Sequence, residues 1–181
     1  MNSDAEIWAF WDAITQGDIA TAQEYLESGG GVDDTSGGYT ALYRTIHQRH
    51  ESGYLEWLKF LLDAGADPNH PQGRADSRLV PLSLAVGHNI FGAAELLLKY
   101  GADPNIFQAT CLHISAIYPR VEMLQLLLDY GADFSIKDDE GKLPIDTLRE
   151  SWDYRKQTMP GFTGFENEAI IREMLSPHPK K

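Results

Sequence analysis

The sequence predicts an all-α solenoid of about five helix-turn-helix units with short β-turn connections. Two observations carry this. One phrase recurs along the chain: FLLDAGADPN at 60–69, LLLKYGADPN at 96–105 and LLLDYGADFS at 126–135, with a degenerate copy, EYLESGGGVD, at 24–33. Its glycines, Gly29, Gly65, Gly101 and Gly131, are spaced by 36, 36 and 30 residues. A period in this range is the mark of stacked supersecondary units. The second observation is a further helix signal upstream of each phrase.

The phrase reads as physics. A leucine-rich run at helical spacing supplies an apolar face. Glycine ends the helix, because the residue after the C-cap takes a left-handed conformation that a Cβ disfavours. Asp-Pro-Asn then supplies turn chemistry, and Pro68 and Pro104 block a return to helix.

The upstream segments are WAFWDAITQGDIATAQ (8–23), TALYRTIHQRH (40–50), VPLSLAVGHN (80–89), TCLHISAIYPR (110–120) and LPIDTLRES (143–151). Each is expected to form one helix of a pair. Leu42, Leu82, Leu112 and Ile145 sit two residues after the expected helix starts, and Phe10 fills that place in the first segment.

These residues resemble the ankyrin repeat family, whose pattern is a β-turn, T-P-L-H-x-A, two antiparallel helices and a Gly-Ala-Asp turn. The best start motif is Thr110-Cys111-Leu112-His113, and a weaker one is Val80-Pro81-Leu82-Ser83. The resemblance covers nearly the whole chain as one domain, 1–181, in units of about 5–35, 36–70, 76–106, 107–136 and 138–177. It implies a structural His113 that ties one turn to the next. It also implies a binding groove made of turn tips and first helices.

Two units break register. The second is four residues longer, near Arg49 to Gly53, and the last carries an insertion at about 152–165, WDYRKQTMPGFTGF. Insertions are expected in loops, where added length costs little entropy. The insertion has two readings: it binds a partner through Trp152, Tyr154 and its other aromatics, or it folds back over the last repeat.

Composition narrows the function classes. The formal net charge is −12, which argues against nucleic acid and anionic membranes as partners. Residues 1 to 43 hold eight acids and no Lys or Arg, either a solvated cap or an electrostatic guide for a basic partner. No apolar run of about 18 residues predicts a membrane span. The start MNSDAEIWAF lacks the basic region of a secretory signal. A single cysteine, Cys111, rules out an internal disulfide. It occupies the proline place of the start motif, either as a packed residue or as a thiol activated by the helix terminus.

No phosphate loop, nucleophile elbow or zinc signature is present, so no catalytic residue, metal site or cofactor is expected. Trp8, Phe10 and Trp11 are expected in the core of the first unit. The expected partner-binding residues are Tyr39, His47, Gln48, Asp76, Ser77, His88, Phe107, Tyr118, Asp139, Glu140, Trp152 and Tyr154. The function these readings favour is a stand-alone, monomeric cytoplasmic module that binds and inhibits a basic protein, like an immunity protein. An adaptor that bridges two proteins is the alternative.

Overall fold

The computed structural model describes residues 3–48, 53–73, 79–117, 120–161 and 168–176, without the side chains of 107–110. Among these residues ten helices follow one another as five pairs: α1 (Asp4–Gln16) with α2 (Ile19–Glu27), α3 (Ala41–His47) with α4 (Tyr54–Asp63), α5 (Pro81–Gly87) with α6 (Phe91–Lys99), α7 (Ile106–Ile117) with α8 (Val121–Asp129), and α9 (Pro144–Thr158) with α10 (Glu168–Met174). The described β-structure consists of two isolated bridges, Ser36–Tyr39 and Gln72–Leu79. The chain divides into two compact units, 1–85 with 92–102 and 86–91 with 103–181.

In the first unit, Ser3 and Glu6 cap α1 reciprocally: Glu6 Oε2 accepts from Ser3 N at 2.7 Å, and Ser3 Oγ accepts from Glu6 N. The segment 8–23 is not one helix. Gly17 takes φ 81° and ends α1, and Asp18 accepts from Thr21 N to start α2. Phe10, Ile14, Leu42, Ile46, Leu58, Leu61, Leu82 and Leu97 form the buried core. Trp8 corrects the expectation of a core residue, since it is 45% exposed. It falls beside, not on, the buried stripe of Ile7, Phe10, Trp11 and Ile14.

The turn between α2 and α3 approaches the loop after α4 closely. The backbone N–H of Gly73 donates to Gly38 O at 2.7 Å, and a Cβ on Gly38 would lie 2.3 Å from Gly73 O. Only glycine fits there, at φ 82°. Gln72, fully buried, secures the same junction: its Oε1 accepts from Thr40 N at 2.8 Å, and its Nε2 donates to His70 O at 2.8 Å.

In the second unit, Cys111, Leu112, Met123, Leu124, Leu127, Leu148, Trp152, Ile171 and Leu175 are buried. Helix α7 packs on α8 and α9, and α10 packs on α8. Two expectations change here. α7 begins at Ile106 and not near 110, directly after the turn in which Ile106 N donates to Asp103 O. The shorter 30-residue glycine spacing leaves no room for a longer connection. In addition, 152–158 is helix and not loop, because WDYRKQT contains no breaker before Pro160 and Gly161. Residues 49–52 and 162–167 of the two irregular pieces lie outside the described residues.

The recurring phrase forms a ladder of side chains. Gly29, Gly65, Gly101 and Gly131 all have φ between 83° and 96°. Asn69 Nδ2 donates to Gly101 O at 3.0 Å, and Asn105 Nδ2 donates to Gly131 O at 2.9 Å. Asn105 Oδ1 also accepts from Asp133 N at 2.8 Å. Asp33 holds the corresponding place in the degenerate first copy. Its Oδ2 accepts from Asp67 N at 2.9 Å, but its Oδ1 is buried with no hydrogen-bond partner among the described residues. A carboxylate cannot supply the donor that asparagine supplies. Burial raises the Asp33 carboxyl above its ordinary pKa. Its folded form therefore holds a proton more readily than the unfolded chain, so stability falls as pH rises through the range just above the usual carboxylate pKa. Asp33→Asn is expected to complete the ladder and to stabilise the protein at pH 7 by about 1 kcal/mol, the worth of one hydrogen bond. Urea denaturation of both variants from pH 4 to 8 checks this, with the gap expected to widen upward from pH 4.

Candidate functional site

Helix α3 places a hollow of about 320 Å³ on the first unit, lined by Tyr39, Tyr43, Arg44, His47 and Gln48. Helical spacing explains the set. Thr40 caps α3 by accepting from Tyr43 N. From there Tyr43 and His47, and Arg44 and Gln48, stand four residues apart on one face. Tyr39 enters from the Ser36–Tyr39 bridge and stacks on Tyr43 with ring centroids 5.2 Å apart. Burial, with the neighbouring Tyr39 hydroxyl, pushes the Tyr43 phenol up, so it keeps its proton and stays a donor at neutral pH.

Behind the hollow, Arg44 lies 4.5 Å from the ring centroids of both Trp8 and Trp11. The two indoles meet edge to face at 5.1 Å and 67°. This is a cation–π arrangement on both rings. Three expected residues, Tyr39, His47 and Gln48, are therefore brought together. Trp8, Tyr43 and Arg44 complete the group and were not among the residues expected to bind. The four-residue spacing in TALYRTIHQ is the signal that marks Tyr43 and Arg44.

The remaining expected residues divide among other places. His88 is exposed beside a second hollow of about 200 Å³, within the second unit, whose walls include Ile114, Ser115 and Arg120. Asp139 and Glu140 are exposed at the turn before α9. Glu140 and Glu150 hold Lys142 Nζ at 2.7 and 2.6 Å, which raises the lysine pKa. Tyr154 is 65% exposed on α9. Trp152 is corrected: at 1% exposure it is core, under the Arg172 guanidinium at 4.7 Å, and offers no surface. Phe107 lies in the first turn of α7 and not at a turn tip, and its side chain lies outside the described residues. Asp76, Ser77 and Tyr118 also lie outside them.

Two residues singled out in the sequence, one of them for its thiol, are structural. His113 is buried, and its Nε2 donates to Lys142 O at 2.9 Å, which ties α7 to the turn before α9. Cys111 is fully buried, and burial, with a contribution from Asp103, pushes its thiol up to about 12. The packed reading holds and the activated one fails. Among the described residues no cluster of three or more His, Cys, Asp or Glu could hold a metal ion. No helix among them is long and apolar enough to cross a membrane.

Paired helices joined turn to turn, carrying an aromatic hollow on a first helix, define a repeat protein that works through its surface. The comparisons agree. A pattern of three ankyrin repeats matches residues 51–138. An ankyrin repeat protein of Rickettsia felis is 30% identical over 132 residues, which cover 69% of this chain and 41% of that protein. Human cyclin-dependent kinase 4 inhibitor B is 31% identical over 129 residues, covering 69% of this chain and 83% of the inhibitor. A palmitoyltransferase of Kluyveromyces lactis is 32% identical over 126 residues, only 16% of that enzyme. The chain belongs to the ankyrin repeat family and is a protein–protein interaction module.

The buried thiol gives a direct check of the second unit. Cys111 is expected to resist alkylation by iodoacetamide at pH 8 in the native protein and to react fully in denaturant. Mass spectrometry after a timed reaction reads this, and rapid native labelling would show that α7 does not hold the cysteine inside.

Proposed function

We propose that this chain binds a basic protein and inhibits it, acting as a monomer in the cytoplasm. One observation carries the reading. Helices α1 and α2 present Asp4, Glu6, Asp12, Asp18, Glu24 and Glu27 to solvent, and neither helix holds a Lys or Arg. This acidic surface and the hollow at Tyr39 belong to the same unit. Long-range attraction would speed encounter with a basic surface, and the aromatic hollow would hold what arrives. The human relative named as a kinase inhibitor is compatible with inhibition by binding.

An adaptor is the second reading, favoured by exposed Tyr154 and Met159 on the last helix pair. These side chains would seat a second partner apart from the hollow.

Affinity purification from the native cell followed by mass spectrometry tests the first reading. The captured protein is expected to be basic, and its affinity is expected to fall steeply as salt rises past about 0.15 M. Capture of acidic proteins alone, insensitive to salt, would sink the idea. Tyr39→Ala is expected to weaken that complex about tenfold or more, as for a buried aromatic anchor. For the adaptor, a Tyr154→Ala, Met159→Ser double variant should lose one partner and keep the other, and equal loss of both would count against bridging.

A further inference from the structure

Arg44 is built as a receptor and has no carboxylate partner among the described residues. The protein has 27 Asp and Glu, and other arginines use them: Arg149 pairs with Asp146, and Arg172 with Glu168. Arg44 instead stands between two indoles. Its Nε is buried without a hydrogen-bond partner among the described residues. The same holds for Gln48 Oε1, so two orphan polar atoms belong to side chains that line one hollow. Buried polar atoms without partners are rare, and two in one place indicate a missing group.

The chemistry of that group follows from its surroundings. A guanidinium fork matches a carboxylate in a planar, bidentate pair, and the indole faces keep the fork oriented. Tyr43 adds a neutral donor, which suits an anion. A space of about 320 Å³ is at the small end for ligand sites and suits a side chain with a short piece of backbone. Gln48 Oε1 is an acceptor, ready for a backbone N–H beside that side chain. The acidic surface of α1 and α2 would repel an isolated anion. A carboxylate is admitted when cationic neighbours carry it in.

We infer that the hollow beside Arg44 captures one Asp or Glu side chain presented by a basic segment of the partner protein. This rests on the proposed basic partner and adds the specificity that charge alone lacks. Attraction to an acidic surface accepts any polycation; the hollow selects a polycation with a carboxylate in its midst.

Three acetylated probe peptides test it by fluorescence titration at low salt. Two are amidated Lys-Gly peptides that differ by a central Glu or Gln. The third has the central Gln and a free C-terminal carboxylate. General attraction predicts that the Gln peptide, with one more net positive charge, binds tighter. The inference predicts the reverse, with the Glu peptide about tenfold tighter, as expected for one charge-assisted bidentate pair. Arg44→Gln should abolish that preference, so that the Gln peptide binds the variant at least as tightly as the Glu peptide does. Should that variant fold poorly, nuclear magnetic resonance on the unaltered protein serves. The Glu peptide should shift the Arg44 Nε–H and Nη–H signals, and the Gln peptide should not. Tighter binding of the Gln peptide, with those signals unmoved, overturns the inference and leaves the acidic-surface reading intact. Failure of every peptide to bind at low salt overturns both. A preference for the third peptide overturns the side-chain assignment in favour of a chain terminus.

Discussion

The turn after each second helix must satisfy carbonyl groups that the helix itself leaves open, and the rest of the fold hangs on how this is done. Glycine makes the reversal possible, at Gly65, Gly101 and Gly131 alike. An asparagine four residues past that glycine then reaches forward to the next turn: Asn69 to Gly101, and Asn105 to Gly131 and Asp133. Each asparagine also closes its own turn, because the Asp two residues before it accepts its backbone N–H, as Asp67 does for Asn69 and Asp103 for Asn105 at 2.8 Å. The same short phrase therefore ends a helix, folds a turn and grips a neighbour. Apolar packing supplies most of the stabilisation, at about 1.5–3 kcal/mol for each fully buried leucine. That packing is non-directional, and the ladder sets the register in which the leucines meet.

Much of this was legible in the residues. Leu42, Leu82, Leu112, Ile145 and Phe10 share one place after the expected helix starts, and all five are buried. His113 was expected to tie one turn to the next, and it does so through Lys142. What failed did so for local reasons. Gly17 and Asp18 divide a segment whose apolar pattern reads straight through them. The insertion at 152 looked like a loop on length alone, yet its residues favour helix until Pro160, and α9 simply runs on. Trp152 then lands four residues after Leu148, on the buried stripe. Aromatic content could not distinguish it from Tyr154, which points outward.

The hollow was half legible. Turn-tip and first-helix positions located Tyr39, His47 and Gln48. They could not show that Arg44 would lie against Trp8 and Trp11, since that meeting depends on α1 packing on α3. Trp8 is informative for the same reason. Its exposure is understandable once it serves as a wall for a cation and not as filler for a core.

The end of α7 offers a different lesson. The carbonyl of Ile117 accepts from Ser151 Oγ at 3.0 Å and from Arg155 Nη2 at 3.2 Å, residues 34 and 38 positions further along. Helix α1, by contrast, is capped from within its own first turn by Ser3 and Glu6. A chain emerging from the ribosome can close α1 at once, because everything the helix start needs has already been made. The C-terminal end of α7 has to wait until α9 has been synthesised and has left the exit tunnel. During that interval this stretch of nascent protein is incomplete, and a ribosome that stalls between Ile117 and Ser151 would hold out a helix with an unfinished end.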